Sequence, residues 1–147
     1  MNILVTGAHG QLGSELNTMI DAIYTDVDEL DITNSEMLSG FVERHTITHI
    51  INCAAYTQVD NAEKEKEQAF FINRDAVKNL ANVARMHNIR LVHISTDFVF
   101  NGSKSTPYTE DDMPDPISVY GASKYEGERA IVTSDIDYAI VRTSWLY

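Results

Sequence analysis

The sequence predicts an α/β fold, a doubly wound parallel sheet with helices on both faces, and three observations carry that expectation. The chain opens on a short β-branched strand that runs straight into three glycines and then a helical pattern. Apolar strands alternate with amphipathic helices along the rest of the chain, with no repeat and no low-complexity linker. Strands separated by helices imply a parallel sheet. The polar clusters fall after strands one, three and four, the edge at which such sheets hold ligands.

The elements follow in order. Asn2 to Thr6 is apolar and reads as a buried strand, followed by Gly7-Ala-His-Gly10-Gln-Leu-Gly13. Leu12, Leu16, Met19 and Ile20 recur at helical spacing after it. Ile23 to Asp28 supplies a second strand, and Ser35 to about His45 a helix with Ser35 as its cap. Ile47 to Cys53 is the third strand, and the loop from Ala54 to Asp60 follows. The charged stretch Asn61 to Glu67 begins a helix whose apolar side is Phe70, Phe71 and Ile72. Asp75 to His87 is a helix with Val77, Leu80, Ala81 and Ala84 facing a core. Leu91 to Ser95 is the fourth strand, Ser118 to Arg129 a helix, and Tyr138 to Val141 the fifth strand.

Composition sets outer bounds. The chain has 147 residues, 44% of them hydrophobic, which suits one domain with a sizeable core. Eleven Lys and Arg stand against 22 Asp and Glu, a net charge of −11 that repels nucleic acid and anionic membrane. No apolar run reaches the length of a membrane span, and Met1 leads directly into a strand, so no signal peptide is expected. The single cysteine, Cys53, permits no internal disulfide and no metal cluster, and fits a reducing cytoplasm.

Three glycines between strand and helix suit a dinucleotide pyrophosphate. Gly7 permits the tight turn, Gly10 lets backbone approach the phosphates, and Gly13 lets the helix pack closely. The helix N-terminus then faces the negative charge. The spacing is one residue wider at the first gap than the common fingerprint. Asp26, at the end of the second strand, is the carboxylate placed to hold the adenosine ribose hydroxyls. No Arg or Lys follows it closely, which favours NADH over NADPH. Asp31 and Ile32 could frame the adenine. Farther on, Tyr120 and Lys124 stand four apart in a helical segment, so both lie on one face and an ammonium can sit beside a phenol. A cation there would pull the tyrosine towards a pKa useful in proton transfer. Ser95 and Thr96 put hydroxyls at the sheet edge, where one can hydrogen-bond a carbonyl oxygen as charge develops on it.

These segments resemble the extended short-chain dehydrogenase/reductases, and within them the dTDP-4-dehydrorhamnose reductase family. The resemblance rests on Gly7 to Gly13, Leu30 to Thr33, Asn52 to Thr57 through Asp60, Ser95 to Phe100, Tyr120 to Lys124, and Arg142 to Trp145. It implies a Rossmann-like domain that uses NADH or NADPH to reduce the 4-keto group of a nucleotide-linked 6-deoxyhexose. Tyr120 would be the proton donor, Lys124 its partner and a ligand of the nicotinamide ribose, and Thr96 the group polarising the carbonyl. Gly10, Gln11 and Leu12 would meet the pyrophosphate, Asp26 the ribose, and Asp31 and Ile32 the adenine. Ala55, Tyr56 and Thr57 would line the cofactor. Thr57, Val59, Asp97 and Trp145 would reach the sugar. Phe98 stands where the family often has Tyr, which removes a hydroxyl, and Cys53 replaces a more usual Ala.

Family members run to roughly twice this length. The resemblance therefore implies that residues 1–147 are the dinucleotide domain, truncated before the carboxyl-terminal substrate domain and not expected to turn over alone. Some members pair as homodimers around a metal ion, and Glu15 sits at a matching place. A solvated helix residue is the preferred reading of Glu15, so no metal ligand is assigned and Mg2+ is not supported by this chain alone. Two other readings stay open. One is another nucleotide-sugar reductase, epimerase or dehydratase of the superfamily; the other is a non-catalytic dinucleotide-binding regulatory subunit.

Overall fold

In the computed structural model, which describes residues 1–145, the first strand lies inside a five-stranded, all-parallel sheet. The strands are β1 (Ile3–Thr6), β2 (Ile23–Thr25), β3 (His49–Asn52), β4 (Arg90–Thr96) and β5 (Tyr138–Thr143), in spatial order β2-β1-β3-β4-β5. The chain steps outward from β1 to β2, then returns across β1 to β3 and continues the other way. Parallel crossovers are right-handed, so this reversal puts the first helix on one face and later helices on the other. Accordingly α1 (Gln11–Met19) is tied to β2 by the Tyr24 hydroxyl, which donates to the carbonyls of Leu16 and Ile20. The other face carries α2 (Ser35–Arg44), α5 (Val77–His87) and α6 (Val119–Val132). There Leu38, Val42, Leu80, Ala84 and Ile131 share a core with Leu4, Ile50 and Leu91.

Side chains on that face form two layers across the strands. Leu4 pairs in register with Ile23 and Ile50, and Ile50 with Leu91, giving a dry lower layer. Two residues on, Thr6 pairs with Thr25 and Asn52, and Asn52 with His93, giving a buried polar layer just beneath the carboxyl edge. Two-residue periodicity along each strand makes the layers, and the sheet register aligns them.

The structure corrects several element boundaries. Asn34, not Ser35, caps α2; its side chain accepts from the Met37 N–H. The helix expected to begin in Asn61–Glu67 and run on through Phe70, Phe71 and Ile72 is instead two short pieces, α3 (Val59–Ala62) and α4 (Lys66–Phe70), followed by a different turn. Between α4 and α5 the backbone is π-helical from Phe71 to Ala76, a widened turn no periodicity announces. Asn73 lies buried inside this turn.

Candidate active site

A cleft of about 820 Å³ runs along the carboxyl edge of the sheet, from the glycine turn to the N-terminal part of α6. At one end Gly10 caps α1 without any side-chain hydrogen bond, and no acidic residue lies in the first turn. The first amide N–H groups of that helix are thus free to meet an anion. Gly7 adopts φ +73°, and a Cβ there would come within 2.6 Å of the Ala54 nitrogen. A Cβ on Gly13 would lie 2.2 Å from the Gly7 carbonyl oxygen. Only glycine at both points lets the turn, α1 and the loop after β3 approach this closely, so the cradle fits a pyrophosphate.

Asp26 closes that end. Its carboxylate accepts the backbone N–H of His9 at 2.8 Å and of Val27 at 2.8 Å. Partial burial pushes its pKa up, but those two N–H groups and the His9 ring outweigh this and hold it below the usual value. An ionised carboxylate with lone pairs to spare suits two ribose hydroxyls. Asp31 also lines the cleft, yet one of its oxygens already accepts from the Thr33 N–H and hydroxyl, so part of its capacity shapes the turn. Ile32 lines the cleft beside it.

At the other end Ser118 caps α6 by accepting from the Gly121 N–H, and Glu63 accepts from the Val119 N–H. This anchors the first turn, which carries Tyr120. The phenol lines the cleft with its ring edge-on to Phe98, centroids 5.5 Å apart. Burial raises the Tyr120 pKa, the adjacent Thr96 hydroxyl acts downward, and the Asp97 carboxylate raises it again. The net shift is upward. The expected pull of Lys124 on this phenol is therefore not what the structure shows. Lys124 is fully buried and donates to the Ile94 carbonyl oxygen at 2.7 Å. Burial lowers its pKa to about 8, against the upward influence of Glu128 and Cys53. A phenol that keeps its proton beside a reacting oxygen is the form a proton donor needs.

Of the residues the sequence singled out, Thr57, Val59, Ala55, Thr96 and Trp145 line the cleft together with the glycine turn, Tyr120 and Lys124. Trp145 is 77% exposed at its rim. Tyr56 and Asp97 do not line it. The Tyr56 side chain turns inward, where its hydroxyl donates to Glu65 at 2.5 Å, and this bond chiefly pushes its pKa up to about 12. Asp97 begins the helical turn Asp97–Val99 and accepts from Thr96 at 3.3 Å. Glu15 is an exposed α1 residue, and among the described residues no group of three or more acidic, His or Cys side chains could hold a metal.

Several residues of the site escaped the sequence reading. Asn73 is fully buried, accepts from the Tyr56 N–H, and donates to the Tyr56 carbonyl and the Ser123 hydroxyl. It holds the loop after β3 against α6. A polar residue among Phe70, Phe71, Ile72 and Val77 was the only signal available. Beneath the cleft, the Thr6 hydroxyl donates to Asn52, and Asn52 bonds His93 Nδ1 at 2.9 Å. Burial, then Lys124, drives the His93 pKa well down and keeps the ring neutral.

Sheet order, glycine turn and the Tyr120 helix together define a class: a Rossmann-like α/β domain with a Tyr/Lys pair at its carboxyl edge. The family model for the RmlD substrate binding domain matches residues 1–147, and the chain belongs to that family. A dTDP-4-dehydrorhamnose reductase from Aggregatibacter actinomycetemcomitans is 44% identical, covering 99% of this chain and 51% of its own. A dTDP-4-keto-6-deoxy-D-glucose reductase from Streptomyces niveus is 41% identical, with coverage of 98% and 52%. The solved dTDP-4-dehydrorhamnose reductase from Bacillus anthracis, in complex with NADP, superposes with a TM-score of 0.96. It is 43% identical and the match covers 99% of this chain and 54% of that one. The chain thus spans about half the length of the relatives it matches.

Proposed function

We propose that this chain is the dinucleotide-binding portion of an NAD(P)H-dependent reductase that converts dTDP-4-dehydro-L-rhamnose to dTDP-L-rhamnose. The observation that carries this reading is one cleft joining the glycine-rich N-terminus of α1 to Tyr120 and Thr96. When bound, the reduced nicotinamide supplies the hydrogen and electron pair that reduce the 4-keto carbon. The first N–H groups of α1 bind the pyrophosphate and Asp26 orients the adenosine ribose. Thr96 donates to the ketone oxygen, and Tyr120 gives its phenolic proton to that oxygen as it becomes an alkoxide. Lys124 orients the nicotinamide ribose. Thr57, Val59 and Trp145 at the rim meet the sugar.

Asp26 favours NADH, while the NADP in the Bacillus anthracis relative supports acceptance of both cofactors. A second reading, reduction of another dTDP-4-keto-6-deoxyhexose, has the Streptomyces niveus relative in its favour. The test is the full-length protein given each of the two 4-keto sugar nucleotides, with NADH or NADPH, while the reduced-nicotinamide absorbance is followed. Oxidation with dTDP-4-dehydro-L-rhamnose supports the first reading. Oxidation only with the other sugar supports the second, and no oxidation with either refutes both.

A further inference from the structure

One buried carboxylate takes no direct part in the chemistry above. Glu128 is 2% exposed and lies one helical turn beyond Lys124, as Lys124 lies one turn beyond Tyr120. Its Oε1 accepts from the Ser95 hydroxyl at 2.5 Å and from Arg142 Nε at 3.0 Å; its Oε2 accepts from Arg142 Nη2 at 2.7 Å. Three elements meet on that group: α6, which carries Tyr120 and Lys124; β4, whose next residue is Thr96; and β5, which leads on to Trp145. Arg142 is itself held from the far side, its guanidinium 5.0 Å over the Phe100 ring, which stacks on Tyr108.

We propose that Glu128 is a positioning residue of this site: clamped between Ser95 of β4 and Arg142 of β5, it sets where Lys124 stands relative to Thr96. The inference rests on the reductase reading for the roles of Lys124 and Thr96. A bidentate arginine pair has fixed geometry, so it fixes the rotation of α6 about its own axis. A hydrophobic substitute of equal volume would not, because apolar contacts are non-directional. The titratable groups that act on the Lys124 ammonium are Glu128 on its own helix, Cys53 after β3 and the neutral His93 on β4. Glu128 is the first of those that favour the charged amine. Removing its charge leaves Arg142 as an unpaired cation nearby, so Lys124 must deprotonate at lower pH.

The experiment compares Glu128→Gln and Glu128→Asp in the full-length protein, by NADPH binding and by kcat across pH, with near-ultraviolet circular dichroism for tertiary packing. In a folded Gln variant the alkaline limb of both profiles moves to lower pH by roughly half a unit or more. The Asp variant keeps the charge but is one methylene shorter; its limb stays in place while kcat falls about tenfold with KM little changed. An unmoved limb in a folded Gln variant overturns the proposal, as does wild-type kcat in the Asp variant. If Gln does not fold, the Asp variant decides. An Asp variant that also fails to fold makes Glu128 a strut for stability alone and overturns the positioning role. A wild-type protein that binds NADPH without reducing either sugar refutes the reductase reading, and the binding profile then judges Glu128 by itself.

Discussion

At its glycine end the cleft is lined chiefly by one stretch, Gly7 to Gly13, joined by Asp26, Asp31 and Ile32, whereas the Tyr120 end gathers residues of β4, α6 and the segments that follow β3 and β5. The first end offers amide N–H groups, a helix terminus and the Asp26 carboxylate, and its glycines serve by lacking a side chain. At the second, a phenol, an amine, a hydroxyl and a buried carboxylate stand on α6 and β4, with the carboxylate braced by β5. The first kind of site depends on close approach and the second on orientation. Disturbing the two ends should therefore produce different symptoms.

The largest effect belongs to the orientation end. Tyr120→Phe in the full-length protein is expected to cut turnover about 10²- to 10⁴-fold while leaving NADPH affinity within a factor of a few. Steady-state kinetics and a binding titration check both halves; an unchanged rate would remove Tyr120 as proton donor. At the approach end the order reverses. Gly7→Ala forces a Cβ into a φ of +73° and to within 2.6 Å of the Ala54 nitrogen. A loss of about 2–4 kcal/mol in denaturant unfolding is expected, together with weakened NADPH binding.

Lys124 sharpens the contrast, because orientation there is held at the expense of stability. Its folded pKa of about 8 lies below the ordinary 10.5. Below pH 8 both folded and unfolded chains carry the proton, and the burial penalty is fully present. Between about 8 and 10.5 the unfolded chain holds more protons, so stability rises with pH through that window. Lys124→Met should therefore be inactive yet more stable than wild type at pH 7, by up to roughly 3 kcal/mol. That advantage should shrink as pH climbs towards 10.5 in parallel unfolding series; a pH-independent difference would contradict it. The smallest effect is Ser123→Ala, which removes an acceptor from Asn73 and a donor to the Tyr120 carbonyl. About 1 kcal/mol of stability is expected to go, with turnover reduced severalfold at most, as read by thermal unfolding and steady-state rates.

The same division explains what was readable in advance. The strand-glycine-helix run and Asp26 are local features, and the structure has them lining one end of a cleft. Tyr120 and Lys124 announced themselves by spacing, because positions four apart share a helical face. That same face continues to Glu128, so its presence beneath the site was available from spacing, but its partners were not. Ser95 lies 33 residues before it and Arg142 14 after it. The family resemblance implied that Tyr56 lines the cofactor, whereas tertiary packing buries its ring outside the cleft lining with its hydroxyl on Glu65. The π-helical turn around Asn73 has no sequence period, and the partners of its buried amide, the Tyr56 backbone and Ser123, lie 17 residues before it and 50 after it.

Alternating apolar strands and amphipathic helices were enough to determine the parallel sheet, with helices on both faces, and the edge that bears the cleft. Those follow from side-chain periodicity and the handedness of L-amino-acid backbones, both present in any local window. Only the folded chain decided the upward shift of the Tyr120 pKa, the burial of Lys124 and the bracing of Glu128. Burial and charge at a point are sums over everything packed around it, and most of those neighbours are distant along the chain.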